Sequence, residues 1–267
     1  MRMLILGASG FIGSHLTRYV AGKKHDCIAL CRSGAVNGHA GSPARWELGE
    51  AVPPQLARGV DCAIHLAHDF SGEKGAALTV HSTVATVEQL CNAGVGRQLF
   101  FSSCSASDMA TSLYGKTKRA IELGIQNKPG VVIVRPGLVL GNGGLYGRMQ
   151  NFVKKFPLVP LPDGGYGKLP VITIEKLCRG TLRLATMHPA PPEANLFEKE
   201  LSSMRGLVLE IAAENNKHPV IINMPSAIIR FLLSAGEFIH LPLPVTKDNL
   251  DGFMANQYST HQSSLSD

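Results

Sequence analysis

Short apolar runs recur through the first half of the chain, and polar, helix-spaced stretches separate them. The runs are residues 1–6, Cys27 to Cys31, Cys62 to His68, Gln98 to Ser103 and Val131 to Gly137. Runs of this length without polar alternation read as strands buried on both faces. Between them, Ser14 to Val20, Thr79 to Ala93 and Tyr114 to Gln126 read as helices. The alternation predicts an α/β fold, a doubly wound parallel sheet with helices on both faces. Ligands of such sheets bind beyond the carboxyl ends of the strands. Residues 7–13, Arg32, His68, Ser103 and Pro136 all fall at those ends, which predicts one shared site.

The first of these ends is the most specific. Gly7-Ala8-Ser9-Gly10-Phe11-Ile12-Gly13 follows a strand and opens a helix, the context a dinucleotide fingerprint requires. Gly7 permits the tight turn, Gly10 lets backbone approach a pyrophosphate, and Gly13 lets helix and strand pack closely. Phosphates then sit on the free N–H groups of the helix N-terminus. After the second run, the place where an NAD-specific fold carries an acidic residue holds Arg32 and Ser33. Asp26 lies at the wrong end of that run. A guanidinium and a hydroxyl suit a 2′-phosphate, so NADP is expected over NAD.

Beyond residue 140 the alternation breaks at Gly141-Asn142-Gly143-Gly144-Leu145-Tyr146-Gly147. A helix over 148–156 and a Pro/Gly-rich loop over 157–170 follow, and residues 171–187 return as strand and helix. Residues 195–216 read as a helix and 220–223 as a strand. The expected organisation is a nucleotide-binding domain over 1–140 and 171–187, a small C-terminal substrate lobe over 141–170 and 188–253, and a disordered polar tail over 254–267. Residues 227–239 are the most apolar stretch, interrupted by Arg230 and Glu237. They are too short to span a membrane and read as a core-facing amphipathic helix, with a helix resting on a membrane surface as the alternative.

Composition narrows the function classes. The chain of 267 residues carries a net charge of +6, which suits an anionic small ligand. Its basic residues form no block dense enough to argue for nucleic acid. The six cysteines, at 27, 31, 62, 91, 104 and 178, show no metal-ligand spacing, so no metal is expected. Several fall inside strands, which fits a reducing, cytoplasmic setting. The chain opens on a core strand, so no signal peptide is expected.

Tyr114-Gly115-Lys116-Thr117-Lys118 places a phenol and an ammonium on one helix face. A free phenol has a pKa of about 10. A nearby cation lowers it toward neutrality, where the group can move a proton. With the glycine turn, His65-Leu66-Ala67-His68, Phe101-Ser102-Ser103 and Arg135-Pro136-Gly137-Leu138-Val139-Leu140-Gly141, these residues resemble the extended short-chain dehydrogenase/reductase, or NAD-dependent epimerase/dehydratase, family. The resemblance covers most of residues 1–185. Residues 242–250 are similar to a subgroup that includes nucleotide-sugar epimerases and an accessory subunit of respiratory NADH dehydrogenase.

The resemblance implies a Rossmann fold and a nicotinamide cofactor. It implies that Tyr114 is the general acid/base and that Lys118 holds the nicotinamide ribose and lowers the Tyr114 pKa. A hydroxyl after the fourth run would orient the substrate oxygen, and Ser103, Cys104 and Ser105 all compete for that place. The implied cofactor contacts are Gly7, Ser9, Gly10, Phe11, Ile12 and Gly13 in the turn, with Arg32 and Ser33 at the ribose. Leu66, Ala67 and His68, Tyr114 and Lys118, and Pro136, Gly137 and Val139 complete them. Cys104, Asn142, Tyr146 and Arg148 are candidate substrate contacts. The expected reaction is hydride transfer to or from a nucleotide sugar. Reduction of a smaller carbonyl compound is the alternative, and a non-catalytic NADP-binding subunit is a second. Homodimers are common in the family.

Overall fold

In chain order the structure, a computed structural model, has these elements. The first half contains β1 (Arg2–Leu6), α1 (Phe11–Gly22), β2 (Asp26–Cys31), β3 (Ser42–Arg45), α2 (Pro54–Ala57) and β4 (Cys62–His65). Next come α3 (Gly72–Asn92), β5 (Arg97–Phe101), α4 (Leu113–Ile125) and β6 (Val131–Pro136). Then follow β7 (Leu138–Leu140), α5 (Gly144–Lys155), β8 (Leu158–Pro162), β9 (Lys168–Leu169), β10 (Val171–Thr173) and α6 (Ile174–Thr186). The last are β11 (Glu193–Leu196), β12 (Ser202–Ser203), α7 (Met204–Glu214), β13 (Val220–Met224), α8 (Ser226–Phe238) and α9 (Lys247–Asn256). The structure describes residues 1–34, 41–238, 245–256 and 262–264.

Seven strands form one sheet in the order β11-β6-β5-β4-β1-β2-β3, and every pairing is parallel. Alternate residues of each strand face opposite sides, which is why the runs are apolar throughout. Met3 and Ile5 pack with Leu16 and Val20 of α1 and with Leu177 and Leu184 of α6. Leu4 and Leu6 point the other way, toward Trp46, Val52 and Leu90 of α3. Phe100 on that same side meets Val87 of α3 and Ile121 and Ile125 of α4. The order of strands reverses between β1 and β4, which is the topological switch point where such sheets bind ligands.

A separate core joins α5, α7 and the short strands. Tyr146, Met149 and Val153 of α5 meet Leu207, Val208 and Ile211 of α7, with Phe253 of α9 closing the cluster. Here β13 lies parallel to β8, β10 parallel to β7, and β12 antiparallel to β9.

Three features depart from the expectations. The helix expected over 195–216 is strand β11, then β12 and α7. The helical pattern belongs only to Met204 onward, where Ser203 caps the first turn by accepting from the Gly206 N–H. Glu193-Ala194-Asn195-Leu196 has little β-signal of its own. It is recruited by register with β6 and by the ion pair of Glu193 with Arg135 at 2.8 Å. Second, α8 does not bury its apolar face: Phe231 is 71% and Leu232 52% exposed. Third, the tail residues 262–264 line β11, where Ser264 donates to the Asn195 carbonyl and Asn195 to the Gln262 carbonyl. The rest of the tail beyond Asn256 lies outside the described residues.

Candidate active site

The turn after β1 is built for backbone approach. Gly7 has φ +90°, and a Cβ there would stand 2.7 Å from the Ala67 nitrogen, so β1 and β4 close on each other only through glycine. A Cβ on Gly13 would lie 2.3 Å from the Gly7 carbonyl oxygen, so α1 sits directly on the turn. At Gly10 the nearest atom to a Cβ would be that same carbonyl, at 3.4 Å, and the rest of the position is open. Gly10 is the N-cap of α1, with no side-chain cap and no acidic residue in the first turn. The N–H groups of that turn have no intrahelical acceptor. An uncapped helix head with an open glycine is the arrangement a pyrophosphate fits.

The ring of Phe11 carries the site toward the second core. A Cβ on Gly143 would come within 2.4 Å of it and one on Gly141 within 2.9 Å, so the glycine loop wraps the ring. Phe11 itself stacks edge-on against His15 at 5.1 Å. Ser9 is exposed above the turn, and Ile12 packs on the sheet core. Arg32 and Ser33 are exposed at the end of β2, and Cys31 Sγ lies 3.6 Å from the Ser33 hydroxyl. The Asp69 carboxyl is held below its ordinary value by hydrogen bonds from Ser71 and, more weakly, by Arg32 and His68. Residues 35–40, next to Arg32, lie outside the described residues.

The strand ends bring the remaining groups together. Leu66 donates its N–H to the Leu6 carbonyl at 2.8 Å, which sets Ala67 against Gly7. His68 then turns its ring onto Tyr114, with centroids 5.0 Å apart, and onto Phe70 at 4.4 Å. Phe70 lies parallel to the Tyr114 ring at 6.0 Å and is 78% exposed. Burial and the nearby Lys118 push the His68 imidazole down to about 3, so it is neutral at physiological pH. Its Nδ1 is buried with no hydrogen-bond partner among the described residues.

Beyond β5, Ser103 and Ser105 share a hydroxyl–hydroxyl hydrogen bond at 2.8 Å. A Cβ on Gly115 would lie 2.6 Å from the Ser105 carbonyl, so glycine beside Tyr114 lets this loop touch α4. Cys104, a candidate substrate contact, points elsewhere: its Sγ lies 3.8 Å from the Arg135 carbonyl, and burial pushes its thiol up to about 12. Ser102 is committed as well, donating to buried Glu122 at 2.5 Å. Arg135 meets that carboxylate with two nitrogens, at 2.8 and 2.9 Å. The bidentate pair ties β6 to α4 and so fixes the helix that carries Tyr114.

Lys118 is buried, and its Nζ donates to the Phe101 carbonyl at 2.7 Å while lying 5.6 Å from the Tyr114 ring centroid. Burial pushes its pKa down to about 7. Tyr114 moves opposite to the expectation: burial first, then the Asp248 carboxylate, push its phenol up to about 12. The expected lowering by Lys118 is overturned because a buried lysine sheds charge itself, while an anion from α9 stands nearby.

The remaining candidates divide. Gly137 is buried, with its N–H on the Leu196 carbonyl, and Val139 pairs with Ile172. Pro136 ends β6 beside them, partly buried. Asn142 is exposed in the loop that wraps Phe11. Tyr146 is a core residue of the second cluster, only 6% exposed, which removes it from a substrate surface. Arg148 is exposed on α5 and reaches the Asn249 side chain at 3.3 Å. Sequence reasoning missed Phe70, Glu122 and Asp248. Glu122 lies one turn beyond Lys118 and was open to detection, whereas Asp248 is 134 residues from Tyr114. Among the described residues, no group of three His, Cys, Asp or Glu side chains is placed to hold a metal, and no helix is long and apolar enough to cross a membrane.

An α/β fold with a glycine turn at the switch point and a Tyr–Lys pair beside it defines the class, a nicotinamide-dependent Rossmann enzyme of the short-chain dehydrogenase type. Within that class the chain belongs to the NAD dependent epimerase/dehydratase family, whose model matches residues 3–159. Similar solved structures include MoeE5 in complex with UDP-glucose and NAD, at 20% identity and TM-score 0.72, covering 84% of this chain and 85% of that one. The NAD-dependent NDP-hexosamine 5,6-dehydratase TunA, involved in tunicamycin biosynthesis, aligns over 98% of both chains at 18% identity and TM-score 0.68. The UDP-glucose 4-epimerase of Thermotoga maritima aligns over 84% of this chain and 86% of its own, at 16% identity and TM-score 0.67. No curated protein matches the sequence significantly.

Proposed function

We propose that this chain transfers a hydride to or from a nucleotide sugar, with Tyr114 moving the accompanying proton. The observation that carries the reading is the chain of contacts from Gly7 to Ala67, and from neighbouring His68 to Tyr114. It supports reading Tyr114 as a proton-moving group beside a pyrophosphate cradle. A bound nicotinamide supplies the hydride chemistry. The first turn of α1 holds the pyrophosphate, and Arg32 and Ser33 hold the adenosine ribose, with NADP favoured over NAD. The Ser103–Ser105 hydroxyl pair orients the substrate oxygen and donates to it as charge develops there. Tyr114 exchanges its proton with that oxygen, and Lys118 would hold the nicotinamide ribose. The similar structures with UDP-glucose and UDP-glucuronic acid support the substrate class.

One observation favours a second reading, reduction of a smaller carbonyl compound. A phenol pushed up to about 12 stays protonated at neutral pH, which suits a donor to a reduced carbonyl better than a base. Nicotinamide fluorescence on titration with NADPH and NADH tests the cofactor. Tight NADPH and weak NADH binding is the expected result, and the reverse preference removes Arg32 from the 2′-phosphate. Incubation with UDP-sugars, followed by product analysis, then separates the two readings.

A further inference from the structure

We infer that Asp248 is a positioning residue for Tyr114: from α9 it fixes the first turn of the helix that presents the phenol. The inference rests on the reading of Tyr114 as the proton-moving group. Asp248 Oδ1 accepts from the Leu113 N–H at 2.5 Å and Oδ2 from the Tyr114 N–H at 3.2 Å. Ser112, the N-cap, accepts from the Gly115 N–H at 3.0 Å. Three N–H groups of the α4 head are therefore satisfied, two of them by a residue 134 or 135 positions away. Capping of this kind is normally local, supplied by the N-cap residue or its neighbours.

The α9 end is held as firmly. Thr246 accepts from the Asn249 N–H at 3.1 Å while the Asn249 side chain accepts from the Thr246 N–H at 3.2 Å, a reciprocal cap. Asp248 follows Lys247, the first residue of α9. Asp248 thus lies in the first turn of α9 while its carboxylate accepts from the N–H groups at the positive end of α4. Arg148 of α5 reaches Asn249 at 3.3 Å, and Arg230 of α8 pairs with Asp251 at 2.5 Å. Thr111, just before α4, donates to the Asp251 carbonyl at 3.5 Å. The helix carrying Asp248 therefore joins the second core to the head of α4.

A purely structural cap would leave the phenol's acidity alone, and this one should not. Among the described residues, the ionisable groups against Tyr114 are Lys118 on its own helix, His68 after β4 and Asp248 on α9. Of these, Asp248 is the carboxylate, and it adds to burial in raising the Tyr114 phenol. The test replaces Tyr114 by 3,5-difluorotyrosine, whose phenol titrates in the neutral range, in the full chain. Its fluorine signal is followed against pH with Asp248 intact and in Asp248→Asn. Asparagine keeps an acceptor for the α4 head but loses the charge, so the midpoint should fall by about one unit. Hydrogen exchange at the Leu113 and Tyr114 amides should quicken about tenfold or more in Asp248→Ala. An unchanged midpoint together with unchanged exchange overturns the inference. If Asp248→Asn does not fold, Asp248→Ser, a shorter capping residue, takes its place. Neither readout needs turnover, so they fail separately from the proposed reaction, which Tyr114→Phe tests.

Discussion

Two helix heads in this molecule meet the same physical demand in opposite ways. Each α-helix starts with about four N–H groups that lack an intrahelical acceptor. At α1 the chain supplies no side-chain cap: Gly10 stands at the N-cap and no acidic residue follows. At α4 it supplies two, Ser112 from within the sequence and Asp248 from the far end. The first head is thereby suited to an anion from outside, and the second already contains its own. On the proposed reading, the difference separates binding from chemistry within one fold. A carboxylate at α1 would repel a phosphate, whereas at α4 it anchors the helix and adds to the burial that raises the neighbouring phenol.

The largest expected effect sharpens this division at α4. Tyr114→Phe should lower turnover by about 10²–10⁴-fold, the usual worth of a positioned general acid or base. Cofactor affinity measured by nicotinamide fluorescence should stay nearly constant, because the phenol contributes no N–H to the α1 head. Retained turnover would show that another group moves the proton.

The next effect strikes the other head. Gly13→Ala places a Cβ 2.3 Å from the Gly7 carbonyl, against backbone that cannot swing aside. α1 must then shift off the turn. NADPH affinity by titration should fall by about tenfold or more, the consequence of misplacing charge-assisted hydrogen bonds. Tyr114→Phe and Gly13→Ala should therefore separate, one in turnover and one in binding. If Gly13→Ala leaves affinity intact, α1 is not the phosphate site.

The sequence made one head readable and hid half of the other. Gly7, Gly10 and Gly13 follow a strand directly, so their spacing, the turn and the helix are local facts. The parallel sheet was legible for the same reason, since β1, β2, β4, β5 and β6 are each buried on both faces and announce themselves as apolar runs. β11 was not, because Glu193 to Leu196 join the sheet through register with β6 and an ion pair, neither of which leaves a periodic trace. Tyr114 and Lys118 were legible as neighbours on one face. Their acidities were not, since burial shifts both and Asp248, which reaches Tyr114 only through the fold, adds to the shift of the phenol. Tyr146 misled for a related reason: a tyrosine after a glycine loop looks accessible until α7 packs on it.

A smaller effect tests what lies beside the first head. Arg32→Ala should reduce the preference for NADPH over NADH by about tenfold, the value of one charge-assisted hydrogen bond of roughly 1.5 kcal/mol. The ratio of the two dissociation constants is the measurement. A ratio that does not move would assign the 2′-phosphate to other residues and leave the proposed pyrophosphate site untouched.

The smallest effect returns to α4 and asks how much of its head is local. Ser112→Ala removes the acceptor for the Gly115 N–H and leaves that group buried without a partner, while Asp248 still holds Leu113 and Tyr114. Loss of an N-cap serine costs about 1 kcal/mol. In a chain of this size that lowers Tm by roughly 2–4 °C. Ser203→Ala on α7, where the cap is exposed, is the internal control and should cost less. Combined with Asp248→Asn, Ser112→Ala should lower Tm by more than the sum of the two single changes, because both residues hold one turn and each compensates for loss of the other. Strict additivity would mean that the local and the distant cap act on α4 independently, and the two heads would then differ in the number of their caps rather than in their design.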